Sequence, residues 1–354
     1  MKPSELKKQY RLLVVLEMGF QWPSGFLRAG IFREHFARAG YSARFVDHNF
    51  TGPLLWRIKP LFNLYRYLSE LRIVYLARSC DAVYLCKVRS IRLVSMLRRH
   101  TKARLVLDSV DAGMPQFATE ELNSVLAAVD AVTTDNELTA GYIRRFNKNC
   151  TVVQDSPQLE VFDSLRAAVR KDASGPVILG WVGSSSGLYN LFLIWETLER
   201  LFARHENIHL RLLGVGKDRR LLPPFEKVRY SFLETYNQEE MVREVLKMDI
   251  GLYPLPDIKA SYYRGIMKAC LYMSGEAAAV CSPVGECADF VKDGVNGMLA
   301  GTPQEWESKL EALIKDRALR LSLAKGGLET VRGSFTLDRA FSTLRPVLEG
   351  EKHG

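Results

Sequence analysis

Short apolar runs recur along the chain, each closed by a polar or glycine-containing loop. Residues 11–16, 43–46, 81–86, 103–107, 131–133 and 151–153 are too short for helices and are bounded by turn residues. That pattern predicts buried strands. Between them lie longer stretches whose apolar positions recur every three or four residues, as in helices with one buried face. The opening runs strand 11–16, loop 19–25, helix 27–39 closed by Gly40, strand 43–46, which is a βαβ unit. Such sheets bind ligands in the loop after the first strand. Trp22, Ser24, Gly25 and Arg28 are therefore candidate site residues. A plain helix cap at Pro23-Ser24-Gly25 is the competing reading.

Residues 54–78 are rich in leucine, aromatic and basic side chains, with Glu70 as the one acid and Pro60 as an interruption. A helix of this kind suits a membrane interface and, equally, an ordinary solvated face. The run 103–107 ends in Asp108 and Asp111, at the strand end where ligand groups bind. The charged, turn-rich stretch 167–176 predicts a domain boundary. It separates a first domain, 1–170, from a second, 175–334.

The second domain restarts the same pattern. Strand 177–182 leads into Gly183-Ser184-Ser185-Ser186-Gly187 and then helix 189–204. Small residues at a strand-to-helix turn let backbone N–H groups approach a phosphate. The spacing is not that of a dinucleotide fingerprint, and Gly214-Val215-Gly216-Lys217 lacks P-loop spacing. Strands are also expected at 209–213, 228–232 and 249–253, with a helix over 237–248. Residues 262–297 then read loop, helix 266–274, strand 277–281, turn at Gly285, helix 286–292. Arg264 and Lys268 stand four apart beside Gly265, spaced to hold a diphosphate or to form a solvated basic face. Helices over 303–315, 317–331 and 336–348 close the chain.

A length of 354 residues suits two domains. No run of eighteen apolar residues exists, and the apolar run 12–16 ends in Glu17 without a cleavage site, so it reads as a strand. Six scattered cysteines show no metal or redox spacing and suit a reducing cytoplasm. No metal site is expected. Residues 1–170 carry 25 Lys/Arg against 16 Asp/Glu, so the net charge of +9 lies in the first half. That excess suits an anionic partner such as phosphate groups or an anionic membrane, while no nucleic-acid motif is present.

Several stretches resemble family-4 glycosyltransferases: residues 180–191 (GWVGSSSGLYNL), 249–257 (DIGLYPLPD), MKACLYM, CSPVG and VKDGVNGML, in order and spacing. In the first half, LDSVDA, AVDAVTTDNE and FNKNCTVVQDSP are similar to that family more loosely. The resemblance implies an α/β GT-B fold, two doubly wound Rossmann-like domains facing a cleft. Helix 336–354 would pack back on the first domain. It further implies a cytoplasmic, retaining hexosyltransferase. That enzyme would move sugar from a UDP- or GDP-linked donor to a glycan or lipid-linked acceptor of cell-surface polysaccharide, at the inner face of the membrane. The nucleotide sugar is a co-substrate, and no cofactor is implied. Gly183, Ser184, Ser185, Glu234, Arg264, Gly265, Lys268, Gly285 and Glu286 would bind the donor. Trp22, Ser24, Gly25 and Arg28 would meet the acceptor, and Asp111 and Lys268 would serve catalysis. Aligned on Lys268, the family's two glutamates fall at Tyr263 and Leu271. A non-catalytic GT-B partner protein is the alternative.

Overall fold

In the computed structural model, residues 9–19, 23–49, 59–169, 171, 174–217 and 227–351 are described. The chain divides into two units, 1–155 with 337–354, and 156–336.

In the first unit β1 (Tyr10–Leu16) is buried along five consecutive residues, as a strand covered on both faces must be. It lies between β2 (Tyr41–Asp47) and β3 (Ala82–Cys86), followed by β4 (Arg104–Asp108), β5 (Ala131–Thr134) and β6 (Cys150–Val152). The order is 2-1-3-4-5-6 and every pair is parallel. Successive side chains point to opposite faces. Leu13 and Val15 pack with α3 (Lys59–Ala77), α4 (Ile91–His100) and α5 (Glu120–Ala128). Leu12, Val14 and Leu16 pack beneath α1 (Pro23–Arg28), a 3-10 turn at Gly30–Phe32 and α2 (Arg33–Arg38). α6 (Glu137–Ile143) joins the first of these layers.

In the second unit, α7 (Leu159–Arg166) precedes β7 (Val177–Val182). A 3-10 segment (Ser185–Ile194) follows, then α8 (Trp195–Arg204), β8 (Ile208–Leu213), β9 (Tyr230–Leu233) and α9 (Gln238–Lys247). β10 (Ile250–Tyr253), α10 (Lys259–Tyr262), α11 (Met267–Ser274), β11 (Ala278–Cys281), α12 (Glu286–Phe290) and β12 (Met298–Leu299) come next, then α13 (Pro303–Lys315) and α14 (Arg317–Ser334). This sheet is also parallel, in the order 12-11-10-7-8-9.

The last helix, α15 (Leu337–Glu349), belongs to the first unit. Its Phe341, Leu344 and Leu348 pack with Leu12, Val14 and Tyr84, and Tyr10 Oη donates to Leu348 O at 2.7 Å.

The structure differs locally from the sequence reading at three places. The helix expected over 27–39 is broken into α1, the 3-10 turn and α2. The polar stretch 167–176 falls within the second unit, because α7 before it packs Phe162 against Val182, Val245 and Tyr272. The chain passes between units at Asp155-Ser156 instead. The helix expected from 189 begins as the 3-10 segment and becomes α-helical only at Trp195. Among the described residues no helix is long and apolar enough to cross a membrane.

Candidate functional site

Each parallel sheet reverses its strand order once. In the second unit β7 leads to β8 on one side, while β10 lies on its other side. The two strands pair only over Leu179–Ile250 and Gly180–Gly251 and then separate. Such a crevice beyond the carboxyl ends of the strands is where open α/β sheets take ligands. Tyr272 of α11 fills the gap. Its hydroxyl accepts from Val182 N and donates to Leu252 O, both at 3.0 Å, so it pins β7 to β10 where the ladder stops. Gly251 makes this possible, since a Cβ there would overlap the Tyr272 ring.

One helical turn before Tyr272, on the same face of α11, is Lys268. Its Nζ stands 4.8 Å from the Trp181 ring centre and 5.3 Å from that of Tyr253. Those rings belong to β7 and β10, the two strands that part. Gly183 lies alongside, where a Cβ would overlap the Trp181 ring and come within 3.0 Å of Nζ. Lys268 makes no ion pair among the described residues. Burial, reinforced by the like charge of Arg264, pushes its pKa down to about 7. Arg264, partly buried, likewise has no carboxylate partner among the described residues. Gly265 O accepts from Tyr253 Oη at 3.0 Å, which holds the Arg264–Gly265 turn over the end of β10.

The serine loop closes the other side. Gly214, at φ +83°, turns the end of β8 against Gly183 O, which also accepts from Tyr236 Oη at 3.3 Å. Gly216 N donates to Glu234 O at 3.0 Å, and a Cβ on Gly216 would lie 3.1 Å from the Ser185 Cβ. Ser184 and Ser186 share a hydroxyl hydrogen bond of 3.0 Å. The first N–H groups of a helical segment lack intrahelical acceptors, and the 3-10 segment starts here. Gly285, at φ +59°, caps α12 beside Tyr262 O, and Glu286 opens that helix. Gly183, Ser184, Ser185, Glu234, Arg264, Gly265 and Lys268 thus gather around the ends of β7 to β10.

The first unit carries a comparable crevice between β1 and β3, a cavity of about 410 Å³. Its lining includes Gly25 and Asp111, together with Glu17, Lys87, Arg89 and Phe117. A Cβ on Gly25 would come 2.5 Å from Gly19 O. Lys87 adopts φ +58° and pairs with Asp111 at 2.7 Å. Arg89 lies over Phe117 at 4.3 Å. Behind the cavity, fully buried His48 faces Glu17 at 3.0 Å through Nδ1 and Glu70 at 3.1 Å through Nε2. Both ring nitrogens meet carboxylates, which favours the doubly protonated ring. Burial opposes that charge, but the bonds to Glu17 and Glu70 outweigh it and raise the His48 pKa. Burial would raise Glu70 as well, yet His48, Arg92 and Ser90 bring it down to about 2.

Arg28 is a correction. It is 3% exposed, and its guanidinium pairs with Asp108 and Asp155 at 2.7 Å each and donates to Val153 O at 2.8 Å. It holds strand ends together inside the unit and has no donor facing outward. Trp22 lies outside the described residues. Ser24 falls within α1, and Asp111 and Lys268 belong to different units. Glu17, His48 and Lys87 were missed, although each directly follows a strand's last residue, where the strand-end rule points.

No family model matches the chain, and no curated protein matches it in sequence. Solved structures do match. A glycosyltransferase from Rickettsia africae has TM-score 0.73 at 11% identity, over 97% of this chain and 99% of that one. Sucrose-phosphate synthase from Thermosynechococcus elongatus has 0.71 at 16%, over 97% and 100%. HepE from Anabaena, crystallised with UDP and glucose, has 0.69 at 13%, over 95% and 98%. With its two parallel, doubly wound six-stranded sheets, this chain has the α/β GT-B fold of those glycosyltransferases.

Proposed function

We propose that the chain transfers a sugar from a nucleoside diphosphate donor to a glycan or lipid-linked acceptor. The observation that carries this is Lys268: a cation at the switch point of the second sheet, over Trp181 and Tyr253, with Arg264 nearby and no carboxylate among the described residues to balance either. A diphosphate would supply the missing charge. In the reaction the sugar–phosphate bond breaks and negative charge grows on the leaving diphosphate. Preorganised positive groups in a partly dry site favour that state over the ground state. Ser184 and Ser185 would meet the phosphates through hydroxyl and backbone donors, and Glu234 would lie towards the base. HepE, crystallised with UDP and glucose, shares this fold and supports a nucleotide as ligand. Asp111 with Lys87 and the cavity around Gly25 would meet the acceptor.

The finer reading is a retaining hexosyl transfer in surface-polysaccharide synthesis, on the cytoplasmic face of a membrane. Six free cysteines support a reducing compartment. Titration of the purified chain with UDP and GDP tests the donor site. Binding that is lost in Lys268→Met supports it, and binding unchanged in that variant overturns it. A non-catalytic role is favoured by Leu271, which stands at a family glutamate position and packs on the core cluster of Val182, Tyr272 and Met273. Failure of both nucleotides to bind at millimolar concentration would select that role.

A further inference from the structure

Helix α3 carries apolar residues on two opposite faces. One face holds Ile73, Val74 and Ala77 against the first sheet. The other carries Leu61, Leu64, Leu68, Leu71 and Tyr75, spaced three, four, three and four apart, which aligns them in one stripe along the helix. These five are between 40% (Leu71) and 71% (Tyr75) exposed, and Tyr67 at the stripe's edge is exposed too. A continuous row of large apolar side chains left in water marks an interaction surface.

The charges around the stripe choose its occupant. Exposed Arg72 and Arg78 border it, and Arg92 of α4 lies 5.6 Å from the Tyr67 ring. The helix's one acid, Glu70, is fully buried and bonded to His48, Ser90 and Arg92, so it presents no negative charge outward. The first unit holds 26 Lys/Arg against 17 Asp/Glu, whereas the second holds 23 of each. A second copy would bring this positive surface against itself. Among the described residues of α3, the exposed charges bordering the stripe are arginines, an arrangement complementary to an anionic lipid surface, where leucine and tyrosine enter the headgroup boundary and arginines meet phosphates.

We propose that the Leu61–Tyr75 face of α3 docks the chain on an anionic bilayer. The inference rests on the membrane part of the proposed function and is independent of the donor chemistry at Lys268. The test is co-sedimentation of the full chain with phosphatidylcholine vesicles, with and without about 30% phosphatidylglycerol, alongside sedimentation velocity without lipid. Binding is expected to the anionic vesicles only and to weaken with salt. Leu64→Asn with Leu68→Asn should weaken it about tenfold or more. Arg72→Ser with Arg78→Ser should weaken it several-fold and flatten the salt dependence. Both leucines are exposed, so melting temperature should stay near that of the parent; Tyr75→Ser repeats the test if it does not. No binding to anionic vesicles, equal binding to neutral ones, or binding indifferent to these changes would overturn the proposal. So would a lipid-free dimer dispersed by the leucine substitutions, which would assign the stripe to a second copy. A UDP titration on the same samples separates failure here from failure of the donor site.

Discussion

The two switch-point crevices are built alike and charged differently. At the first, Lys87 has Asp111, Arg28 has Asp108 and Asp155, and His48 has Glu17 and Glu70. At the second, Lys268 and Arg264 face each other's positive charge, and aromatic rings stand where carboxylates would. Burying an unbalanced ammonium costs stability, which burial registers by driving Lys268 towards neutrality. Such a charge persists where an anion will balance it. The first crevice, whose cations apart from Arg89 are paired with carboxylates, suits a ligand bound through hydroxyl and aromatic contacts; the second has the charge that would suit a phosphate.

This contrast can be broken by substitution, beginning with the largest effect. Arg28→Met leaves Asp108 buried without its partner and should destabilise the chain by about 3–5 kcal/mol, measured by urea unfolding. Unchanged stability would mean that the first crevice is not held by its ion pairs. Lys268→Met should do the reverse. The free chain keeps or gains thermal stability, while nucleotide affinity drops by about 1.5–3 kcal/mol in calorimetric titration. A loss of stability without a loss of affinity would make Lys268 structural. Tyr272→Phe leaves Val182 N and Leu252 O without their shared hydroxyl and should cost about 1–3 kcal/mol in unfolding. Weaker nucleotide binding should accompany it, because the pin positions the turn that carries Lys268.

The smallest effect is in pH. Lys268 is depressed to about 7 in the free chain, and a bound diphosphate would raise it, so binding takes up a proton. Affinity should be fully present below 7 and decline as pH rises through that value. In Lys268→Met this part of the pH dependence should vanish. A parent affinity flat through pH 7 to 9 would show that Lys268 stays charged without ligand.

Strand positions were legible because a strand covered on both faces must be apolar throughout, and runs such as 11–16 and 81–86 read that way without context. The placement of Gly183, Arg264 and Lys268 at turns near strand ends was legible because strand-end loops and four-residue spacing are local features. The role of Arg28 was not. Arginine beside a glycine loop reads the same whether it faces solvent or Asp108, which is 80 residues away. Likewise, the aromatic floor under Lys268 comes from Trp181 and Tyr253, residues that read as ordinary strand apolars. Tyr272, the pin between two strands, reads as one more apolar position of a helix.

By itself, then, the sequence determined the alternation of buried strands and amphipathic helices, two doubly wound sheets, and the cationic excess of the first half. Each of these follows from hydrophobic period and composition. Tertiary structure alone decided which charges are balanced, that α7 belongs to the second unit, and that α3 turns a leucine stripe outward. Those outcomes depend on contacts between residues far apart in the chain, and a side chain's charge state and exposure are set by what packs beside it.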